Sequence, residues 1–351
     1  MKKFGIIGTG MIAHFHAKAI KAMDGATLRS CFSPNEKNAT AFAQEYGIQS
    51  CASLAQFLND PELDIVTIGT PSGAHLDPAI AAMNAGKHVV CEKPLEITPE
   101  RIDAMIEVAE RNGVVLAAIL NRRFNNAVTR LKKAVTLGRF GKLSLVEVSV
   151  KWFRTQEYYD SAAWRGTWAL DGGGALMNQA IHVIDQLLHV VGPVKRVSGS
   201  TTCLAHQNIE VEDTAVAILE FANGARGVIQ GSTACFSSSG HPAELNICGD
   251  KGSAFLSDAT FDVWDFAEPD PEDEYVVQNL MKRHSGGLGA NDPTSINFTG
   301  HQRNFEEVLA AITEGRQPST HGKEARKAVA LICAIYESAR NDGRWIELEP
   351  R

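Results

Sequence analysis

The sequence predicts an α/β chain in two parts, an N-terminal doubly wound parallel sheet followed by an α+β part built on an open, largely antiparallel sheet. Three observations predict it. Through residue 119, short apolar runs alternate with segments of helical period. From residue 141 onward, runs of period-2 alternation follow one another across hairpin-type breaks such as Ala222-Asn223-Gly224. The 351 residues suffice for about two domains, each able to bury its own core. The boundary is expected at 121/122, with allowance for a C-terminal helix that packs back on the first domain.

In order, residues 3–8 form an apolar strand and 11–23 a helix with Ile12, Phe15, Ala19 and Ile20 on one side. Strand 26–32, helix 35–46 ending at Gly47, helix 53–59 and strand 64–69 follow. Helix 74–85 is stopped by Gly86, strand 87–91 comes next, helix 98–112 is stopped by Gly113, and strand 114–119 closes the series. Strands joined by crossover helices make a parallel sheet covered on both faces. In the second part the expected strands are 141–155, 194–204, 211–221, 225–235, 243–249, 253–256 and 344–348. Helices are expected at 174–191, 305–314 and 323–339, and the Asp-, Glu-, Gly- and Pro-rich stretch 269–293 reads as a long loop.

Composition narrows the function classes. With 44% hydrophobic and 21% charged residues, disordered, collagen-like and coiled-coil chains are disfavoured. A net charge of −7 lacks the basic excess that a phosphate backbone demands, so nucleic acid is not an expected partner. Seven scattered cysteines, none in C-x-x-C spacing, fit reduced, mostly buried thiols in a cytoplasmic protein, and neither a disulfide framework nor a metal site is expected. Glycines 5, 8 and 10 interrupt the apolar start, so no cleaved leader is expected, and no window approaches the about 20 apolar residues of a membrane span.

The sharpest local signal is Gly8-Thr9-Gly10-Met11-Ile12-Ala13, a G-x-G-x-x-A turn between the first strand and the first helix. Gly8 permits the tight turn, Gly10 lets a pyrophosphate approach the backbone, and Ala13 allows close helix–sheet packing. The helix N-terminus supplies N–H groups for the anion. Inside a βαβ unit this is the dinucleotide-binding fingerprint of the Rossmann fold. At the end of the second strand, Phe32-Ser33-Pro34-Asn35-Glu36-Lys37 offers neither an acid directly at the strand end nor a following Arg. Ser33, Asn35 and Lys37 suit a 2′-phosphate and Glu36 suits a ribose, so NAD against NADP stays open.

Two constellations carry chemistry. Cys91-Glu92-Lys93-Pro94 lies at the C-terminal end of strand 87–91, the edge at which parallel sheets bind ligands. A lysine ammonium there can stabilise charge on a reacting oxygen, with Glu92 holding it, whereas taken alone the tripeptide also reads as a solvated loop. In Gly172-Gly173-Gly174-Ala175-Leu176-Met177-Asn178-Gln179-Ala180-Ile181-His182-Val183-Ile184-Asp185, helical spacing puts Asn178, His182 and Asp185 on one face. A histidine there can move a hydroxyl proton while Asp185 orients its ring, and a core histidine satisfied by Asp185 fits the same spacing. His301 is a further candidate substrate ligand, with a loop histidine as the alternative. His14 and His16 lie beside the pyrophosphate turn.

The order and spacing of Gly8–Ala13, Glu92-Lys93-Pro94, and Gly172-Gly173-Gly174 followed by Asn178 and His182 resemble the Gfo/Idh/MocA oxidoreductases over nearly the whole chain. The likeness takes in Thr70-Pro71-Ser72 with His75, Arg123-Phe124, and the segment from Pro318 to Asp342. It implies an NAD(P)-dependent oxidoreductase acting on a secondary alcohol or ketone of a sugar, cyclitol or nucleotide-activated sugar. Lys93 then polarises the reacting oxygen and His182 serves as acid/base. The dinucleotide contacts are Gly8, Thr9, Gly10, Met11, Ile12, Ser33, Thr70, Pro71, His75, Glu92, Lys93, Arg123, Trp164 and Arg165, and the substrate contacts Lys93, Asn178, His182 and His301. Inositol-acting relatives often carry Asp where this chain has Asn178. Because an amide accepts no proton as a base, the duty falls on His182, and the Asn form resembles members acting on modified or nucleotide sugars. A dinucleotide sensor without catalysis, and an enzyme that recycles its cofactor during glycoside cleavage, are the other readings. A homodimer or homotetramer is expected, formed over the outer face of the second sheet through Val148, Val150 and Trp152 or their alternates.

Overall fold

The apolar runs of the first 120 residues, with one polar two-residue strand that the sequence pattern does not reveal, are the strands of one parallel sheet. In the computed structural model, which describes residues 1–282 and 298–348, these are β1 (Lys2–Ile7), β2 (Ala26–Phe32), β3 (Gln49–Ser50), β4 (Ile65–Ile68), β5 (His88–Cys91) and β6 (Leu116–Ala118). Their order is β3-β2-β1-β4-β5-β6, all neighbours parallel. Phe4, Ile6, Ile65, Val66, Ile68, Val89 and Val90 are fully buried, as a sheet with helices on both faces requires. The order reverses between β1 and β4, and the crevice beyond the carboxyl ends of those two strands is where such sheets take ligands. The helices between strands end as their residues dictate. Asn35, Ser53 and Thr98 each accept an N–H three residues on, and Gly47 and Gly113 close their helices with φ of 67° and 63°.

The chain divides into two compact units, Met1–Asn121 with Asn297–Arg326, and Arg122–Ile296 with Lys327–Arg351. The first unit therefore contains the helix Thr299–Glu314, which begins six residues before the expected 305. Phe305 and Val308 on it enter the core formed by Phe4, Ile6, Ala17 and Ile20. Phe305 meets the Phe4 ring edge-on at 5.9 Å, and Asn304 accepts the N–H of Leu120 at 2.8 Å, tying the helix to the segment after β6.

The second unit holds β7 (Leu143–Lys151), β8 (Val194–Thr202), β9 (Thr214–Phe221), β10 (Arg226–Ser232), β11 (Ala243–Gly249), β12 (Gly252–Ser257), β13 (Thr260–Phe266) and β14 (Ile346–Glu347). Their order is β13-β12-β11-β7-β10-β9-β8-β14. Only the pair of β7 with β10 is parallel among these neighbours. Period-2 alternation decides which face is covered: Val146, Val148 and Val150 of β7 and Ala215, Ala217 and Leu219 of β9 are buried, and the helix Ile181–Val191 packs on β7 and β11.

Several expectations need correction. Val148, Val150 and Trp152 are buried inside the unit, so the uncovered face is the alternate one, where Leu145, Val216 and Ile218 are exposed. Strand β13 and the helix Glu272–Asn279 lie where no element or a loop was expected. The helix is held by ion pairs from Arg130, Lys133 and Arg139 to Glu272 and Asp273, which the sequence pattern does not reveal. The remainder of that stretch, 283–293, lies outside the described residues. The segment expected as one helix at 174–191 is a π-type turn, Ala175–Ala180, followed by Ile181–Val191. All seven cysteines are free, but only Cys31, Cys51 and Cys91 are buried, and Cys203 is exposed. Among the described residues no helix is long and apolar enough to cross a membrane.

Because Phe305 fills the first unit's core, Phe305→Ala should cost that unit about 3–5 kcal/mol. The readout is a lowered denaturant midpoint. An unchanged midpoint would mean that the helix contributes nothing to that core.

Candidate active site

In the first unit the loops at the carboxyl ends of β1, β4 and β5 come together. Gly8 has φ +90°, and a Cβ there would lie 2.7 Å from the carbonyl oxygen of Gly69, so only glycine closes the turn against the end of β4. Gly10 differs: a Cβ there would meet nothing within 4 Å. It caps the helix Met11–Lys21 with no side-chain hydrogen bond and no acid in the first turn. Open space beside uncapped N–H groups is what a dinucleotide pyrophosphate fits. Ser33 accepts the N–H of Asn35 at 3.3 Å, and Asn35 caps the next helix, so both side chains serve the turn after β2.

His75 bridges two loops, with its ring nitrogens each 3.0 Å from a carbonyl oxygen, that of Thr70 and that of Pro94. Burial lowers its pKa. The Lys93–Pro94 peptide is cis. Glu92 is buried and organises the segment before it. One carboxylate oxygen accepts the N–H of Lys93 at 3.0 Å, and the other lies 2.8 Å from His16 Nε2 and 3.6 Å from His301 Nε2. Burial pushes the Glu92 carboxyl up, but the His16 hydrogen bond and the His301 imidazole outweigh it and hold the group well below the carboxylate range. Burial also lowers the pKa of His16, so its neutral ring donates from Nε2 to Glu92 and accepts at Nδ1 from Thr67 Oγ1, 2.9 Å away. The three side chains have metal-ligand composition, but the hydrogen bond uses the nitrogen and oxygen that an ion would take. His16 is thus occupied inside the core, His14 pairs with Tyr46 at 2.9 Å, and His301 is a buried helical residue rather than a loop histidine.

In residues 89–96 every side chain is buried except Lys93. The second unit repeats the pattern, because residues 171–187 are all buried except Asn178 and His182. A lysine, an amide and an imidazole alone keep access to solvent on otherwise sealed segments.

The segment before His182 is shaped by close approach. Side chains at Gly173 and Gly174 would collide with the Tyr336 hydroxyl and with the main-chain oxygen of Glu212. Glu212 accepts the N–H groups of Gly174 and Leu176, each at 2.9 Å, and the Tyr336 hydroxyl at 3.0 Å. Burial nevertheless pushes its carboxyl up to about 7. Asp171 accepts the amide of Asn178 at 2.7 Å and the N–H of Gly166 at 2.9 Å. Asp185, expected to orient the His182 ring, is paired with an arginine. Both its oxygens are taken by the guanidinium of Arg123, at 2.8 and 2.6 Å, a buried bidentate pair. Arg165 stacks on Trp164 and on Tyr158, whose hydroxyl it reaches at 2.8 Å. Sequence reasoning missed Glu212 and Tyr336. The available signal was the acidic pair Glu212-Asp213 opening a strongly alternating strand.

The family model for an oxidoreductase family with an NAD-binding Rossmann fold, GFO/IDH/MocA, matches residues 2–119, and that for its C-terminal domain matches residues 128–255. Among solved structures, the WlbA dehydrogenase from Bordetella pertussis in complex with NADH and UDP-GlcNAcA superposes with a TM-score of 0.90 at 36% identity, covering 100% of this chain and 98% of that one. The myo-inositol 2-dehydrogenase of Thermotoga maritima is 29% identical over 99% of this chain and 98% of its own length. The levoglucosan dehydrogenase of Pseudarthrobacter phenanthrenivorans is 27% identical over 98% and 97%.

The raised pKa of Glu212 has a measurable sign. The stability carried by its protonated form is complete below the ordinary value of 4.5 and is lost as pH rises through about 7. Glu212→Gln, which does not titrate, should flatten the fall in thermal stability across that window. A variant with the parental slope would show that Glu212 is not its source.

Proposed function

This chain belongs to the Gfo/Idh/MocA oxidoreductase family, and on that premise we propose that it moves hydride between a nicotinamide dinucleotide and a secondary alcohol or ketone of a nucleotide-activated sugar. The observation that carries the reading is the selective access of Lys93, Asn178 and His182 on segments that are otherwise buried. The turn Gly8–Ile12, with Ser33, Thr70, Pro71, His75 and Glu92, holds the dinucleotide, and Arg123, Trp164 and Arg165 are the further contacts. The bound dinucleotide supplies the hydride donor or acceptor. The Lys93 ammonium donates a hydrogen bond to the reacting oxygen and stabilises the charge that grows there. His182 takes the hydroxyl proton during oxidation and returns it during reduction. Asn178, oriented by Asp171, binds a neighbouring hydroxyl without titrating.

The nucleotide-sugar choice is supported by the amide at 178 and by the full-length 36% identity to a dehydrogenase solved with UDP-GlcNAcA. Its competitors are inositol and anhydrosugar substrates. The exposed Leu145, Val216 and Ile218 support a symmetric dimer or tetramer whose second copy covers that face. Light scattering at micromolar concentration should therefore report two or four chains, and a monomer would refute the assembly.

Turnover on UDP-GlcNAcA, myo-inositol and levoglucosan, read at the nicotinamide absorbance, tests the chemistry. Lys93→Ala and His182→Ala should each lose about 100-fold or more in kcat while NADH affinity is retained. Near-parental turnover in both variants would overturn the residue roles. Tight NADH binding by the parent with no net turnover on any sugar would instead favour a sensor or a self-recycling enzyme.

A further inference from the structure

The start of a helix leaves N–H groups without intrahelical partners, and these are usually met by a local Ser, Thr, Asp or Asn. The segment carrying Asn178 and His182 has none, because its N-cap is Gly174. Its donors are met from far along the chain. Gly174 and Leu176 donate to the two carboxylate oxygens of Glu212, and Ala175 donates to the Glu212 main-chain oxygen at 3.1 Å. The Tyr336 hydroxyl, in turn, donates to the carboxylate oxygen that Leu176 uses. Tyr336 is buried and edge-on to Trp168 at 5.1 Å, and Gly173 and Gly174 lack the side chains that would collide with this pair.

We propose that Glu212 and Tyr336 are positioning residues for His182, a clamp that fixes where the Asn178–His182 segment begins and so which face those two side chains present. The segment opens with a π-type turn, Ala175–Ala180, and becomes α-helical at Ile181. Wide turns of this kind are tolerated where something outside the helix holds them, and they occur often at functional sites. Moving the wide turn by one residue would rotate Asn178 against His182, and the three N–H groups bound by Glu212 prevent that slip. Asp171 anchors the same segment through Asn178. The clamp rests on the acid/base reading of His182 given above.

The first readout uses the full chain saturated with NADH and needs no substrate. Tyr336→Phe keeps the buried ring and removes one hydrogen bond. Glu212→Gln turns an amide N–H₂ toward a main-chain N–H. In both, amide exchange across residues 174–182 should rise about tenfold or more, and the His182 imidazole resonances should move, while NADH affinity and the resonances of His75 and His16 stay parental. Tyr336→Phe should also lower kcat more than it alters KM on the sugar that is turned over. Parental exchange and a parental His182 signal in both variants would overturn the clamp. Undiminished turnover by His182→Ala would overturn the underlying acid/base reading instead, so the two failures are distinguishable.

Discussion

A carboxylate taken out of water must gather hydrogen-bond donors, and in this chain that requirement organises both segments that carry the candidate site residues. Glu92 gathers the imidazole of His16 and the N–H of its own neighbour, and Lys93 follows directly. Glu212 gathers two main-chain N–H groups and a tyrosine, and the segment of Asn178 and His182 starts there. Asp171 gathers a main-chain N–H and the amide of Asn178 itself. In each case a buried acid holds the backbone, and the candidate side chain beside it is the part left accessible. Removing such an acid leaves several donors unsatisfied at once, so the cost falls on the geometry of the neighbouring residue as well as on stability.

Glycines are the complement of these acids. Gly8 and Gly174 each sit where a carbonyl oxygen comes too near for any Cβ, and Gly10 sits where space is left open. The first kind lets the backbone close on itself, and the second lets a ligand approach. Both kinds appear in the sequence as the same letter, and only the neighbours distinguish them.

Local periodicity made most of the parallel sheet legible, because every strand but the polar two-residue β3 (Gln49–Ser50) is a short, largely apolar run and every long crossover helix ends at or near a glycine. Elements governed by distant charge were not legible. The helix Glu272–Asn279 lies in an acidic, proline-flanked stretch and depends on arginines more than 130 residues away. Strand β13 is not legible in the pattern because it follows β12 after a tight turn in which Asp258 takes φ 52°. At the candidate site, the motifs around Lys93 and His182 stand out in the sequence because their residues are adjacent in the chain. Helical spacing sets Asp185 near His182 but gives no sign of the pairing of its carboxylate with Arg123, 62 residues earlier. Tyr336, 124 residues beyond Glu212, left no trace in any local window.

The most direct measurement is the fate of the hydrogen on the reacting carbon. A nucleotide sugar deuterated at that carbon, incubated with the protein and oxidised dinucleotide, should yield reduced dinucleotide carrying the deuterium at nicotinamide C4 by mass spectrometry, and Lys93→Ala should abolish the transfer. Reduced dinucleotide without the label, or none formed from any sugar of the panel while NADH binds tightly, would contradict direct hydride transfer by this site.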